Sequence, residues 1–152
     1  MKKTNNKGFS LVELIIVIAI MAILAGAIAP ALIRYIDRSR KSNDINACKS
    51  IKTAFETALT NEDLYSELTT GVTTYTITEA STTVSPAIAK GNGGKDIFSN
   101  LSGQKAPKLK YKKQGANAYK VEISTSGEVK VSITDGSHDW AICPEVCEDY
   151  QK

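Results

Sequence analysis

The sequence predicts an α+β protein: a long amino-terminal helix packed on a carboxy-terminal antiparallel sheet of about three to four strands. Three observations predict it. Residues 14–33 run for twenty positions without a charge. Apolar residues then recur at steps of three and four as far as Leu59, which places one stripe on one helical face. Three segments near the carboxy terminus alternate apolar and polar residues, the period of a half-buried strand.

The apolar run comes first. At ~1.5 Å per residue it is roughly 30 Å long, the thickness of a bilayer core, and it predicts membrane insertion that is at least transient. The basic start (Lys2, Lys3, Lys7) and the small residues Ala25-Gly26-Ala27 also fit an ordinary secretory signal peptide. Two features argue against that. Glu13 sits where an apolar stretch should begin cleanly, and the helix continues past Arg34 as an amphipathic segment to about residue 60. Its stripe carries Leu32, Ile33, Ile36, Ile45, Cys48, Ile51, Phe55, Ala58 and Leu59. Asp37 and Lys41 form an acid-before-base pair at helical spacing. Arg34, Arg38, Arg40 and Lys41 follow the run, so flanking charge leaves its orientation undecided.

Glu13 is the costly residue. A carboxylate at mid-bilayer costs about 2.5–3.5 kcal/mol on insertion scales and usually has a partner. Cleavage after Gly8 would leave the amine of Phe9 as a cation in apolar surroundings. Glu13 lies four residues along a rigid helix from that amine, so a neighbouring copy's amine is the more natural partner. The competing reading is an interfacial glutamate that snorkels. Further on, Gly26 and Pro30 weaken the helix, because Pro30 offers no N–H to the Gly26 carbonyl. Ala25, Ala27, Ala29 and Ala31 allow close helix packing.

Residues 61–107 read as a connecting region in which the stripe has ended. Within it Tyr75 and Ile77 alternate with threonines, as in one strand or extended edge, and Ile97 to Leu101 fit one helical turn. The glycines of residues 91–94 mark a loop that lacks phosphate-loop spacing. Three strands follow, around Leu109 and Tyr111, around Tyr119, Val121 and Ile123, and around Val129, Val131 and Ile133. A fourth short one holds Trp140, Ala141 and Ile142. The apolar face of the sheet should cover the helical stripe from Cys48 to Leu59.

The chemistry-bearing residues are few. Removing Lys2, Lys3 and Lys7 from 19 basic side chains leaves 16 against 16 acids, so net charge gives no support to nucleic-acid binding. Lys108, Lys110, Lys112 and Lys113 form a local basic edge; solubilising a sheet edge explains it better than DNA does. Of the three cysteines, Cys48 could bridge to Cys143 or Cys147, those two could pair locally, or all could stay reduced. His138 is the single histidine and has no nucleophile beside it, which argues against an enzyme. The usual zinc pattern is incomplete, and no cofactor or metal is expected.

The run Lys-Gly-Phe-Ser-Leu-Val-Glu-Leu-Ile-Ile-Val, starting at Lys7, resembles the amino-terminal signature of type IV prepilins. The resemblance covers about residues 7 to 35. Beyond them the chain is similar to the family in architecture, like a small major pilin of the clostridial kind with the type IV pilin fold. The resemblance implies a leader of residues 1–8 and cleavage between Gly8 and Phe9 by a prepilin peptidase, with methylation of the Phe9 amine. It implies a transmembrane and filament-core half over residues 9–34 and a globular domain over residues 35–152. That domain divides into helix to residue 60, connecting residues 61–107, and sheet and tail over residues 108–152. It also implies pairing of Glu13 with the Phe9 amine of an adjacent copy, and melting of the helix near Gly26 and Pro30 in the filament. The implied partners are copies of the chain, the peptidase, a platform protein and an assembly ATPase. The implied course runs from the cytoplasmic membrane, with the globular part outside, to an extracellular filament for motility, adhesion, aggregation or biofilm formation. A Cys143–Cys147 link would resemble in miniature the carboxy-terminal disulfide loop of many pilins. A type II secretion pseudopilin shares the whole signature and is the closest alternative; Asp135, Asp139, Glu145, Glu148 and Asp149 only weakly suggest a pseudopilin calcium loop. A secreted globular protein with an ordinary signal peptide is the other.

Overall fold

The computed structural model describes residues 8–70, 73–90, 94–112 and 115–151. The leader lysines, residues 91–93 and Lys113 lie outside them. Helix α1 (Leu11–Ala58) is followed by α2 (Glu62–Thr70), β1 (Thr74–Thr78) and α3 (Lys95–Ser99). Then come β2 (Ala118–Ile123), β3 (Val129–Thr134), β4 (Asp139–Cys143) and α4 (Glu148–Gln151). The chain divides into two compact units, one up to Asp37 and one from Arg38 onward. In the first, the described chain is helical from Leu11 and carries no charge over residues 14–33.

The second unit is the α+β body that the alternation and the stripe predict. Its four strands form one antiparallel sheet in chain order, β1-β2-β3-β4. Tyr75, Ile77, Tyr119, Val121, Ile123, Val129, Val131, Ile133, Trp140 and Ile142 point to the core. They meet Cys48, Ile51, Ala54, Phe55 and Ala58 of α1 in one buried cluster. Phe55 tilts against Tyr75 with ring centroids 6.2 Å apart, tying helix to sheet. The outer face is polar: Lys120 reaches Glu122 at 2.9 Å and Asp139 at 2.6 Å. The β1 edge is covered by Ser85, which exchanges two backbone hydrogen bonds with Thr76 at 2.7 and 2.9 Å. The β2–β3 turn needs glycine, since Gly127 has φ +82° and a side chain there would meet Tyr65.

Two expectations are corrected. Residues 62–70, read as connecting chain, form α2. Asn61 accepts the Asp63 N–H at 3.0 Å as an N-cap, and Leu64 and Leu68, one turn apart, are fully buried. Only two apolar residues carry that face, too few for a periodic signal. The strand expected at Leu109 and Tyr111 does not form. Its alternation does report burial, because Leu109 is buried. Its backbone donors, however, go to carboxylates: Leu109 N–H to Glu79 at 3.0 Å, and Lys110 and Tyr111 N–H to Asp44 at 2.6 and 2.9 Å. Lys112 then adopts φ +45°, which ends any extended run. The segment is a strap held across α1.

Glu79 is the second anchor of that strap. Its burial alone would raise its pKa, but the Lys112 ammonium and the Leu109 N–H outweigh it and hold the carboxyl below 4.5. A depressed folded pKa contributes stability above the unfolded value and loses it as pH falls through the folded one. Glu79→Gln is therefore expected to be less stable by about 1 kcal/mol at pH 7. The gap from wild type should narrow in chemical denaturation as pH falls below 4.5. A gap that persists unchanged at pH 3 would contradict the assignment.

Candidate functional site

The site is the start of α1. Gly8, Phe9 and Ser10 are non-helical and exposed, with Phe9 87% accessible. Among the described residues a side chain at Gly8 would meet nothing within 4 Å, so their packing does not require glycine there. Ser10 is the N-cap of α1. Its Oγ accepts the Val12 N–H at 3.4 Å, and the Glu13 carboxylate reaches back to accept the Ser10 N–H at 2.9 Å. This is a reciprocal capping box. Sequence reasoning missed it, although Ser-x-x-Glu before an apolar run is its signature. Glu13 thus has an acceptor role within its own chain besides any it has toward another.

From Phe9 to Ile36 every large apolar side chain is exposed, and no residue of the apolar window is buried. The segment is long and apolar enough to cross a membrane. It remains helical through Gly26 and Pro30, and nothing crowds Gly26. Exposed apolar surface of this extent needs lipid or protein to cover it.

The other candidates lie in the carboxy-terminal unit. Cys48 and Cys143 are buried, Cys147 is half-buried, and all three are free thiols. His138 is exposed; its Nδ1 lies 3.4 Å from Asp135 Oδ2, and its ring stacks on Trp140. Asp135 also accepts the N–H groups of Ser137 and His138, both at 2.7 Å, so this is a self-contained loop. Asp139 is engaged by Lys120. Lys112 is bound by Glu79, which removes it from the basic edge read in the sequence.

One residue the sequence reading passed over proves central: Asp44, on α1, with no exposure. Burial pushes its carboxyl above the usual 3.8, against the pull of the two N–H donors. It stands one turn before Cys48 on the buried face. Lys41, one turn earlier, donates to the Asp149 carbonyl at 2.9 Å and sits 4.8 Å from the Tyr111 ring centroid. Tyr111 packs edge-on against Tyr150, 5.6 Å away. Helix, strap and tail are joined there.

A family model described as the prokaryotic N-terminal methylation motif matches residues 3–29. The chain is 29% identical over 136 residues to prepilin peptidase-dependent protein A of Clostridium perfringens, covering 87% of this chain and 88% of that one. It is 38% identical over 63 residues to the type IV major pilin protein PilA of Myxococcus xanthus, covering 41% of this chain and 29% of that one. It is 44% identical over 57 residues to the type IV major fimbrial protein FimA of Dichelobacter nodosus, covering 38% of this chain and 36% of that one. The match thus spans under two fifths of the Myxococcus and Dichelobacter proteins and most of the Clostridium one. No solved structure matches the chain. In its amino-terminal motif and its relatives this chain is similar to type IV pilins and fimbrial proteins, and its long helix on an antiparallel sheet is a pilin-like α+β architecture.

Proposed function

We propose that the chain is a structural subunit, a major pilin, that polymerises with its own copies into a surface filament. It is cut between Gly8 and Phe9 by a prepilin peptidase and methylated on the Phe9 amine. Residues 9–34 hold it in the cytoplasmic membrane with the globular part outside. A platform protein and an ATPase then transfer it to the filament, where Glu13 pairs with the Phe9 amine of a neighbour and the helix loosens near Gly26 and Pro30. Motility, adhesion, aggregation and biofilm formation are the roles such a filament serves.

The observation that carries this reading is α1 from Leu11 to Ile36, uncharged over residues 14–33 and with every large apolar side chain exposed in the single chain. A span made only to anchor has no use for Glu13. A span that leaves lipid for a bundle of its own copies does, because a charge pair fixes register in a dry core. Apolar burial at ~25 cal/mol per Å² then holds the bundle together in water.

The test is to measure the mass of the mature amino terminus and to label surface fibres with antibody at native expression. Methyl-Phe9 and labelled fibres are expected. A terminus near Ile28 would indicate signal-peptide cleavage and end the reading. Retention in the envelope, with loss of enzyme secretion on deletion, would indicate a pseudopilin instead. Gly8→Val is expected to leave an uncut precursor in the membrane. Because nothing crowds Gly8, its globular part should unfold at the wild-type temperature. A normal mature mass from that variant would contradict the proposed cleavage site.

A further inference from the structure

The fold does not treat the three thiols alike. In the β3–β4 ladder Ser132 faces Ala141, but Val131 faces Cys143, so Ile142 is an extra residue in a β-bulge. Without the bulge, Val131 would face Ile142 and Cys143 would alternate to the solvent side. With it, Cys143 takes the face of Val131 and is buried with it, both in the cluster that holds Cys48. Lys52, Lys49 and Glu56, all on α1 just after Cys48, act electrostatically on the Cys143 thiol. Cys143 in turn stands in the electrostatic surroundings of Cys48. Cys147 is placed differently. Its N–H is bound to the Ala141 carbonyl at 2.9 Å, its carbonyl accepts the Tyr150 N–H at 3.0 Å, and its side chain is half-buried.

We propose that Cys48 and Cys143 form a disulfide in the exported protein, tying α1 to β4, and that Cys147 stays a free thiol. This rests on the reading above that the globular part lies outside the membrane, where disulfides persist. The oxidant is the disulfide of a thiol–disulfide oxidoreductase. Cys48 and Cys143 give up two protons and two electrons, their S–S bond forms through a mixed disulfide, and the oxidoreductase leaves with two thiols. Both thiols are buried in the finished core, so the exchange belongs to folding. The bond closes a loop of roughly 95 residues, a length at which a cross-link strongly restricts the unfolded chain.

The test uses the full-length chain from membranes or fibres, alkylated in denaturant with N-ethylmaleimide and no reductant. It is then cleaved at Glu145 to separate Cys143 from Cys147. The expected spectrum joins the Cys48 and Cys143 peptides and shows alkylation at Cys147 alone. In detergent, reduction should lower the Tm of the globular part by roughly 10–20 °C, while Cys147→Ser leaves the joined Cys48–Cys143 peptide and the Tm unchanged. Cys48→Ser should melt low and no longer respond to reductant. Three alkylated cysteines, or a Cys143–Cys147 link, overturns the proposal. The mature terminus is read in the same spectra. A processed terminus with three alkylated thiols overturns the bridge and leaves the filament reading standing. An unprocessed terminus overturns the filament reading, and the bridge then stands or falls on its own peptide mass.

Discussion

Glu13→Ala chains are expected to enter the membrane as well as wild type or better, yet to yield at least roughly tenfold fewer fibres. Insertion improves because a carboxylate costing about 2.5–3.5 kcal/mol in a bilayer is gone. Assembly fails because a dry interface would lose one member of a charge pair, which typically costs 2–5 kcal/mol. The capping box supplies a rival cause. Glu13 accepts the Ser10 N–H, so alanine also loosens the first turn of α1. Glu13→Gln separates the two. Glutamine serves the same position in a capping box but carries no charge. If charge pairing matters, Gln falls with Ala in fibre counts by electron microscopy at matched membrane levels. Wild-type yield from Gln would leave Glu13 with a capping role only, and wild-type yield from Ala would leave it with neither.

The parts of the molecule that could be read from sequence share a physical cause: each has a period. The Cys48-Ile51-Phe55-Ala58 stripe and the alternations at Tyr119-Val121-Ile123 and Val129-Val131-Ile133 repeat burial at the spacing of their element, and all are core. The apolar run announces itself by length alone. What was not legible lacks a period or depends on residues far apart in the chain. Helix α2 has only Leu64 and Leu68 on its face. The bulge at Ile142 leaves no mark in the residues of β4; it appears only in register with β3. The strap at residues 109–112 alternates like a strand, and only its acceptors, Asp44 and Glu79, reveal that it is not one. Those acceptors are 66 and 30 residues away from the donors they bind. The capping box is the exception, since Ser10 and Glu13 are three residues apart and could have been read directly.

Asp44→Ala is expected to destabilise the globular part by about 2–4 kcal/mol, the largest effect of any single polar truncation in it. The carboxylate is fully buried and is the hydrogen-bond acceptor of two successive backbone N–H groups, Lys110 and Tyr111. Alanine leaves both donors without an acceptor at about 1–3 kcal/mol each, less whatever water can reach them. It also leaves a small void beside Cys48. Asparagine does not rescue the site, because its amide turns a donor toward one of the two N–H groups. Both variants should melt roughly 10 °C below wild type in detergent. The damage should be local before it is global. Amide exchange at Lys110 and Tyr111 should speed up first, followed by Tyr150, whose ring packs on Tyr111. Strand amides at Val121 and Val131 should keep their protection until global unfolding. If Asp44→Ala melts within about 1 °C of wild type with unchanged exchange in the strap, Asp44 does not hold it. The strap would then owe its place to its other contacts, Leu109, Glu79 and the packing of Tyr111 on Tyr150 among them.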